Sequence, residues 1–327
     1  SNTIYGKNAG DTLASGGNYN SLFGEDAGTA ITTGDSNVAI GFAALDVNTT
    51  GNYNAAVGQG ALGANTTANY NSAFGYDALA ANTTGANNVG AGSYALRVNT
   101  TGASNTAVGY EALDRNTTAS NNTSVGYQAL KLNTTGTQNT AVGAAALDAN
   151  TTASNNSAVG YQALSSNTTG TLNSAFGRTA LLTNSTGANN TAIGAQALQA
   201  NTTADNNTAV GASALVTNTT GTGNTSVGFA ALDANTTGAS NIAVGKNALG
   251  ANTTAVSNIA IGDSAMASNT TGSNHTSVGY LALNANTTGT ENNALGANAG
   301  DSITTGSYNI AIGNSALAGE TTGNRSV

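Results

Sequence analysis

The chain has 327 residues, of which 7% are charged and 5% are aromatic, and its net charge is −8. Its seven basic side chains stand far apart, which argues against nucleic acid as a partner, because the phosphate backbone requires clustered Lys and Arg. Cysteine is absent, so disulfides and thiolate metal sites are excluded. No run of about eighteen apolar residues occurs, so we predict no membrane insertion of this segment.

The chain is dominated by a tandem repeat. From Gly24 to Gly313 a glycine returns every seventeenth residue, eighteen times, without insertion or deletion. We number the unit from its Asn-Thr-Thr asparagine, so that Asn48 occupies position 1 and Gly58 position 11. A register this strict indicates that each unit stacks on the one before it. We predict an all-β parallel β-solenoid (β-roll) of about nineteen coils as one continuous domain over 1–327, with divergent terminal coils at 1–23 and 290–327.

Within each unit, the side-chain pattern changes along the coil. Positions 8 to 12 alternate in polarity and are rich in β-branched residues, which predicts a strand. The Ala-Leu pair at positions 14 and 15 predicts a second short strand, and Asn-Thr-Thr-Gly is typical of a turn, where Asn tolerates the left-handed region. Large apolar side chains, about two per repeat, suffice for a thin core.

Four positions hold one residue type almost throughout and predict ladders of identical residues. Asparagine at positions 1 and 7 can donate to one neighbouring coil and accept from the other, and invariant Gly and Ala indicate close approach of backbones, including those of neighbouring chains. The structural ladder residues that we single out are Asn105, Asn122 and Asn139 at position 7, Gly109, Gly126 and Gly143 at position 11, and Ala112, Ala129 and Ala146 at position 14.

The strand element has a family resemblance. The stretches Asn37–Gly41, Asn258–Gly262 and Asn309–Gly313 resemble the N-S-x-A-I-G element of YadA-like trimeric autotransporter adhesin heads. The stretch 156–169 resembles repeats of phage tail-fibre and bacterial surface proteins. The resemblance covers essentially the whole chain, and it implies a left-handed parallel β-roll with three chains side by side, outside the cell.

No catalytic site is predicted, so we expect a non-enzymatic protein without metal or cofactor. His275 is the only histidine and takes a position in the Asn ladder, where we interpret it as a variant of that ladder. The fifteen acidic residues are scattered, whereas paired-carboxylate catalysis gathers them in one cleft. Asn-Thr-Thr matches the N-glycosylation sequon, at Asn48, Asn65 and their copies, but a turn repeated by stacking explains it without sugar.

The threonine ranks and the position 12 residues are two candidate binding surfaces. Thr49-Thr50 and their copies form threonine ranks of the kind that orders water in ice-binding solenoids, and one rank of the pair at most faces outward. The other threonine rank, at position 8, is interrupted, for example by Val89 and Ile242. Position 12 carries aromatic residues mixed with charged and polar ones, so we expect it to be exposed. Our candidates for carbohydrate or protein contact there are Tyr76, Tyr110, Tyr127, Tyr161 and Tyr280.

These observations favour a structural fibre or adhesin segment, a homotrimeric shaft or head that presents a repetitive surface for attachment. We expect it to be extracellular, on a cell surface or a virion, with a carbohydrate or cell-surface ligand. The alternatives are an ice-binding β-solenoid and a self-assembling extracellular filament subunit. Because the sequence starts at Ser1 and stops mid-repeat at Val327, we expect a piece of a longer protein.

Overall fold

The computed structural model describes residues 1–327, and it is a parallel β-solenoid of about nineteen coils without helices. The predicted fold class is confirmed at this level. The chain divides into two compact units, Ser1–Gln162 and Ala163–Val327; that the repeat forms one continuous domain stays a prediction. The strands of the first unit are β1 Thr3–Tyr5, β2 Ser21–Phe23, β3 Val38–Ile40, β4 Ala55–Val57, β5 Ser72–Phe74, β6 Val89–Ala91, β7 Thr106–Val108, β8 Thr123–Val125, β9 Thr140–Val142 and β10 Ser157–Val159.

The second unit repeats this arrangement. Its strands are β11 Ser174–Phe176, β12 Thr191–Ile193, β13 Thr208–Val210, β14 Thr225–Val227, β15 Ile242–Val244, β16 Ile259–Ile261, β17 Thr276–Val278, β18 Asn293–Leu295 and β19 Ile310–Ile312. Within each unit, consecutive strands pair in parallel, and equivalent residues lie opposite each other, as Ala141 does to Ala158. The exception is the first pair, where Thr3 lies opposite Ser21.

Each strand is three residues long and covers positions 8 to 10 only, shorter than predicted. It stops at the invariant glycine of position 11, which has a φ of +135° at Gly109 and +138° at Gly126. Residues that carry a Cβ essentially never adopt this backbone conformation, so glycine is the residue that allows the chain to turn at position 11.

The second strand predicted at Ala-Leu is wrong, because this segment consists of two consecutive turns. The Ala44 amide donates to Gly41 O (3.4 Å) and the Asn48 amide donates to Leu45 O (3.3 Å). Leu45 between them has a φ of +54°, and positions 13 and 15 carry such left-handed residues in coil after coil, a conformation that no strand contains. The position 1 asparagines, expected to use the left-handed region, do not adopt it.

A left-handed leucine is unusual, since that region costs a side chain about 1–2 kcal/mol. The position 15 leucines from Leu45 to Leu283 are fully buried, and burying a leucine contributes about 1.5–3 kcal/mol. The burial therefore offsets the backbone strain, and leucine is kept where glycine or asparagine would fit the backbone better.

The core of the coil holds one large apolar side chain per repeat instead of two. Leu113 at position 15 packs in the interior with Ala107, Ala112 and the buried asparagines, all with no exposed surface. The apolar residue at position 10 points outward, and Val108 is 39% exposed. The expectation of a core built from both apolar positions is wrong, because only the middle residue of each three-residue strand faces inward.

Backbone hydrogen bonds tie each coil to both of its neighbours. The Gly58 amide donates to Ile40 O of the preceding coil (2.8 Å), whereas the Leu62 amide donates to Ala78 O of the following coil (3.0 Å). The direction alternates in this way around the coil, so every layer is both donor and acceptor to the layers beside it.

Candidate functional surfaces

The position 7 asparagines form a continuous ladder inside each unit. Asn122 donates its side-chain amide to Gly136 O at 2.9 Å, and its Oδ1 accepts the backbone N–H of Asn139 at 2.9 Å. Its own backbone N–H donates to Oδ1 of Asn105 at 3.0 Å. Each side chain therefore satisfies backbone groups of the next coil, which is what a buried turn requires.

The position 1 asparagines form a second ladder, in which amides contact amides. Asn65 Nδ2 donates to Asn48 Oδ1 of the preceding coil (2.9 Å) and to Ala68 O of its own turn (3.2 Å). These asparagines are fully buried, and in all of them except Asn286 the Nδ2 atom, which would carry an N-linked glycan, is engaged in hydrogen bonds. The structure thus favours the turn interpretation of the sequons.

His275 replaces asparagine at position 7 without interrupting that ladder, as the sequence predicts. Its Nδ1 accepts the backbone N–H of Asn292 at 3.1 Å, and its Nε2 lies 2.7 Å from Gly289 O. The imidazole fills both roles of the amide only when it is neutral and protonated on Nε2. Desolvation by burial lowers its pKa, which favours this neutral form.

The small-residue ladders make contacts within one chain. A Cβ built on Gly109 would lie 2.4 Å from Gly126 O of the next coil, and Ala112, Ala129 and Ala146 are fully buried inside the coil. Their smallness serves the stacking of coils. The expectation that small residues permit close approach of neighbouring chains is therefore wrong for the buried alanine ladder, and for the half-buried glycine ladder it stays a prediction.

The outward side of the strands, which we call the strand face and define as positions 8 and 10, combines an apolar rank at position 10 with a rank of mainly serine and threonine at position 8. Its position 10 residues are apolar in every strand from β2 onward, and examples such as Ile40, Phe74 and Ile193 are 41–46% exposed. No charged residue occurs at either position. Nine strands at about 4.8 Å spacing extend this face for about 40 Å within one unit.

The paired threonines point in different directions. At position 2, the Thr49 hydroxyl donates to Thr66 O of the next coil at 3.1 Å, and this contact repeats along the units. At position 3, the threonine is exposed in every copy. This outer rank runs from Thr33 to Thr322 without interruption, with eighteen threonines at the seventeen-residue period.

All five candidate tyrosines of position 12 lie on the surface, with exposures from 42% at Tyr76 to 55% at Tyr127 and Tyr280. In the first unit, Tyr110 and Tyr127 stack at a centroid distance of 5.7 Å. Sequence reasoning missed Tyr94, because it occupies position 13. Its ring meets Tyr76 edge-on at 5.2 Å and Tyr110 edge-on at 6.1 Å.

Charged side chains gather beside these rings. Asp114, with a side chain only 1% exposed, accepts from Arg97 at 2.9 and 3.1 Å and pairs with Arg115 at 3.2 Å. Lys131 lies 2.6 Å from Glu111, and its hydrogen bond lowers the pKa of that carboxyl. The Arg97 guanidinium also lies 4.8 Å from the centre of the Tyr94 ring.

Neighbouring carboxylates raise the pKa of two of these tyrosine phenols. Asp77 raises the pKa of Tyr76, and Glu111 raises that of Tyr110. Both phenols therefore stay neutral at physiological pH and can donate a hydrogen bond as well as accept one. No group of three or more His, Cys, Asp or Glu is arranged to hold a metal ion.

Comparison with known protein families finds no family model that matches this chain, and comparison with curated proteins finds no match either. The structure contains no helix with the length and hydropathy needed to cross a bilayer.

Proposed function

We propose that the chain is a structural segment of an extracellular fibre or adhesin, on a cell surface or a virion, in which three copies pack side by side. The observation that carries this proposal is the uncovered strand face. A soluble monomer rarely exposes a contiguous apolar patch larger than a few hundred Å², and the apolar position 10 rank of this face continues through the strands of each unit.

A further copy of the same chain is the partner that fits this face best. A second copy has the same coil spacing, so apolar residues can meet apolar residues layer after layer. The face carries no charge, although the chain has a net charge of −8. Copies that meet through it therefore keep their like charges apart, whereas contact through the charged faces would bring negative charges together and be repulsive.

Three chains joined in this way would form a stiff shaft or head. Its mechanism is mechanical: the ladders hold the coils rigid, and the repeated outer surface makes many weak contacts at once. Weak contacts that act together give avidity without any single strong site.

The test is the mass of the native chain by sedimentation equilibrium. One chain has a mass of 31.6 kDa, and we expect the native protein to have three times this mass. Val108→Asp together with Val125→Asp should give a folded monomer, whereas Gln138→Asp, on an exposed position outside the strand face, should leave the trimer intact. A monomeric native chain would refute the proposal, and masses that increase without limit with concentration would indicate the end-to-end filament instead.

Ice binding is the second candidate, because the position 3 threonine rank is exposed and uninterrupted. Its hydroxyls and methyl groups recur about every 4.8 Å within each unit, a regular array that could order water. The native chain should then show thermal hysteresis, and Thr101→Lys with Thr118→Lys should abolish it. Absence of hysteresis in the native chain at millimolar concentration would eliminate this candidate.

A further inference from the structure

The first unit contains an open gap between two aromatic rings. Tyr127 and Tyr161 occupy position 12 two coils apart, which corresponds to about 9.6 Å. Both are surface residues, 55% and 54% exposed. The coil between them carries Ala144 and Ala145, so it contributes only methyl groups at positions 12 and 13.

The same unit contains an equivalent gap that is filled. Tyr76 and Tyr110 are also position 12 residues two coils apart, and Tyr94 of the intervening coil lies between them. Its ring centroid is 5.2 Å from that of Tyr76 and 6.1 Å from that of Tyr110. A space between position 12 rings two coils apart thus accommodates one six-membered ring.

The backbone of the open gap matches that of the filled gap. Ala145 has a φ of +53° and Tyr94 has a φ of +62°, so position 13 adopts the left-handed conformation in both. At position 13 of the intervening coil the two gaps thus differ in the side chain and not in the backbone, and alanine lacks the ring that Tyr94 places there.

The polar groups around the open gap suit a ligand that is rich in hydroxyls and carries no charge. Gln128 and Gln162 follow the two tyrosines at position 13, and amides both donate and accept. Gln128 already donates to Glu111 at 2.7 Å, and Glu111 is neutralised by Lys131. An anionic ligand therefore finds no free cation here, and the two tyrosines supply apolar ring faces.

We propose that the gap formed by Tyr127, Ala144, Ala145 and Tyr161 binds one neutral pyranose ring of a glycan, sandwiched between the two phenol rings. This site rests on the proposed attachment function and gives it a ligand class. All its residues belong to one chain, so binding does not depend on trimer formation. The gap is shallow and takes a single ring, so we expect a dissociation constant of about 1 mM for one chain and tighter apparent binding for an oligomer.

The experiment is a saturation-transfer NMR titration of the full chain with cellohexaose, maltohexaose and mannohexaose. At least one of these neutral glycans should bind with a dissociation constant of about 1 mM, and polygalacturonate should not bind. Tyr127→Ala and Tyr161→Ala should each weaken binding at least tenfold. Tyr280→Ala, which removes a position 12 tyrosine without a ring two coils away, should leave binding unchanged.

Ala145→Tyr tests the gap itself. It keeps both tyrosines and places a ring where Tyr94 places one in the other gap, so it should abolish binding while circular dichroism stays that of the native chain. Failure of all three glycans to bind below 10 mM (about tenfold weaker than expected), or unchanged binding by Tyr161→Ala and Ala145→Tyr, would overturn this inference. Binding retained by the monomeric Val108→Asp, Val125→Asp variant would show that the site and the trimer are independent.

Discussion

The coil at 99–115 in the first unit and the coil at 201–217 in the second have the same interior and different exteriors. Both bury asparagine, alanine and leucine at the same positions. Outside, the first coil carries Tyr110, Glu111 and Arg115, where the second carries Ala212, Ser213 and Thr217. Stacking fixes what lies within the coil and leaves the outer positions free, so a dense cluster of tyrosines and ion pairs confined to one unit is evidence of a separate role.

The largest effect should come from the position 11 glycines, and it should be equal in the two units. Gly109→Ala and Gly211→Ala each place a Cβ 2.4 Å from the carbonyl oxygen of the next glycine. We expect a loss of more than about 4 kcal/mol in the free energy of unfolding, or failure to fold, measured by urea denaturation.

Gly223→Ala is the matched control for these two variants. Its φ is +67° and its nearest neighbour, the Ser240 hydroxyl, lies 3.8 Å from the added Cβ, so it should cost only about 1 kcal/mol. A clear difference between the Gly109 and Gly211 variants would mean that the two interiors are not equivalent.

The next effect concerns the asparagine ladder. Asn122→Ala leaves the Asn139 N–H without a partner and removes one of the two hydrogen bonds to Gly136 O, which also accepts from Asn133 Nδ2. Asn207→Ala has the equivalent effect in the second unit. The orphaned buried N–H costs about 1–3 kcal/mol, so both variants should lose about 2–3 kcal/mol in chemical denaturation. Asn122→His should lose less, because His275 already performs this role. Equal losses for Ala and His at position 122 would contradict the ladder mechanism.

Asp114→Asn should lower stability through a charge that only the first of the two compared coils has, because the equivalent residue in the second unit is the uncharged Val216. The substitution removes the carboxylate that two arginines share, and these arginines are 32% and 52% exposed. Because solvent screens them, we expect a loss of about 1–2 kcal/mol that shrinks in high salt, measured by denaturation at low and high ionic strength. A loss that does not depend on salt would point to packing instead of charge.

The smallest effect is a pH dependence located in the second unit, at His275. Burial lowers its pKa from 6.5, so the unfolded chain binds the proton more readily than the folded chain does. Stability should be complete above pH 6.5 and fall as the pH drops below it, because a protonated Nδ1 would face the Asn292 N–H. His275→Asn should remove this part of the pH dependence of the melting temperature between pH 8 and pH 5. An identical profile for both proteins would refute the assignment.

The repeat predicts the coil well because its evidence lies in periodic residues such as Asn105 and Gly109, whose contacts recur in every layer. The second strand was wrong because leucine gives no sign of a left-handed turn; its conformation is imposed by burial. The outward direction of Val108 was missed because an apolar residue in a strand usually faces the core. Tyr94 was missed since its role depends on rings in the coils before and after it, and a position-by-position comparison does not show such contacts.

The seventeen-residue spacing of the paired strands from β2 onward has a consequence for how such a molecule changes over generations. Adding or removing a few residues would misalign the layers that follow, but duplicating or deleting one whole repeat leaves every remaining layer in register. Length can therefore vary in steps of a single coil at little risk to folding, and recombination between near-identical repeats of a gene supplies such steps. Removing residues 116–132 should thus yield a shorter protein that still folds.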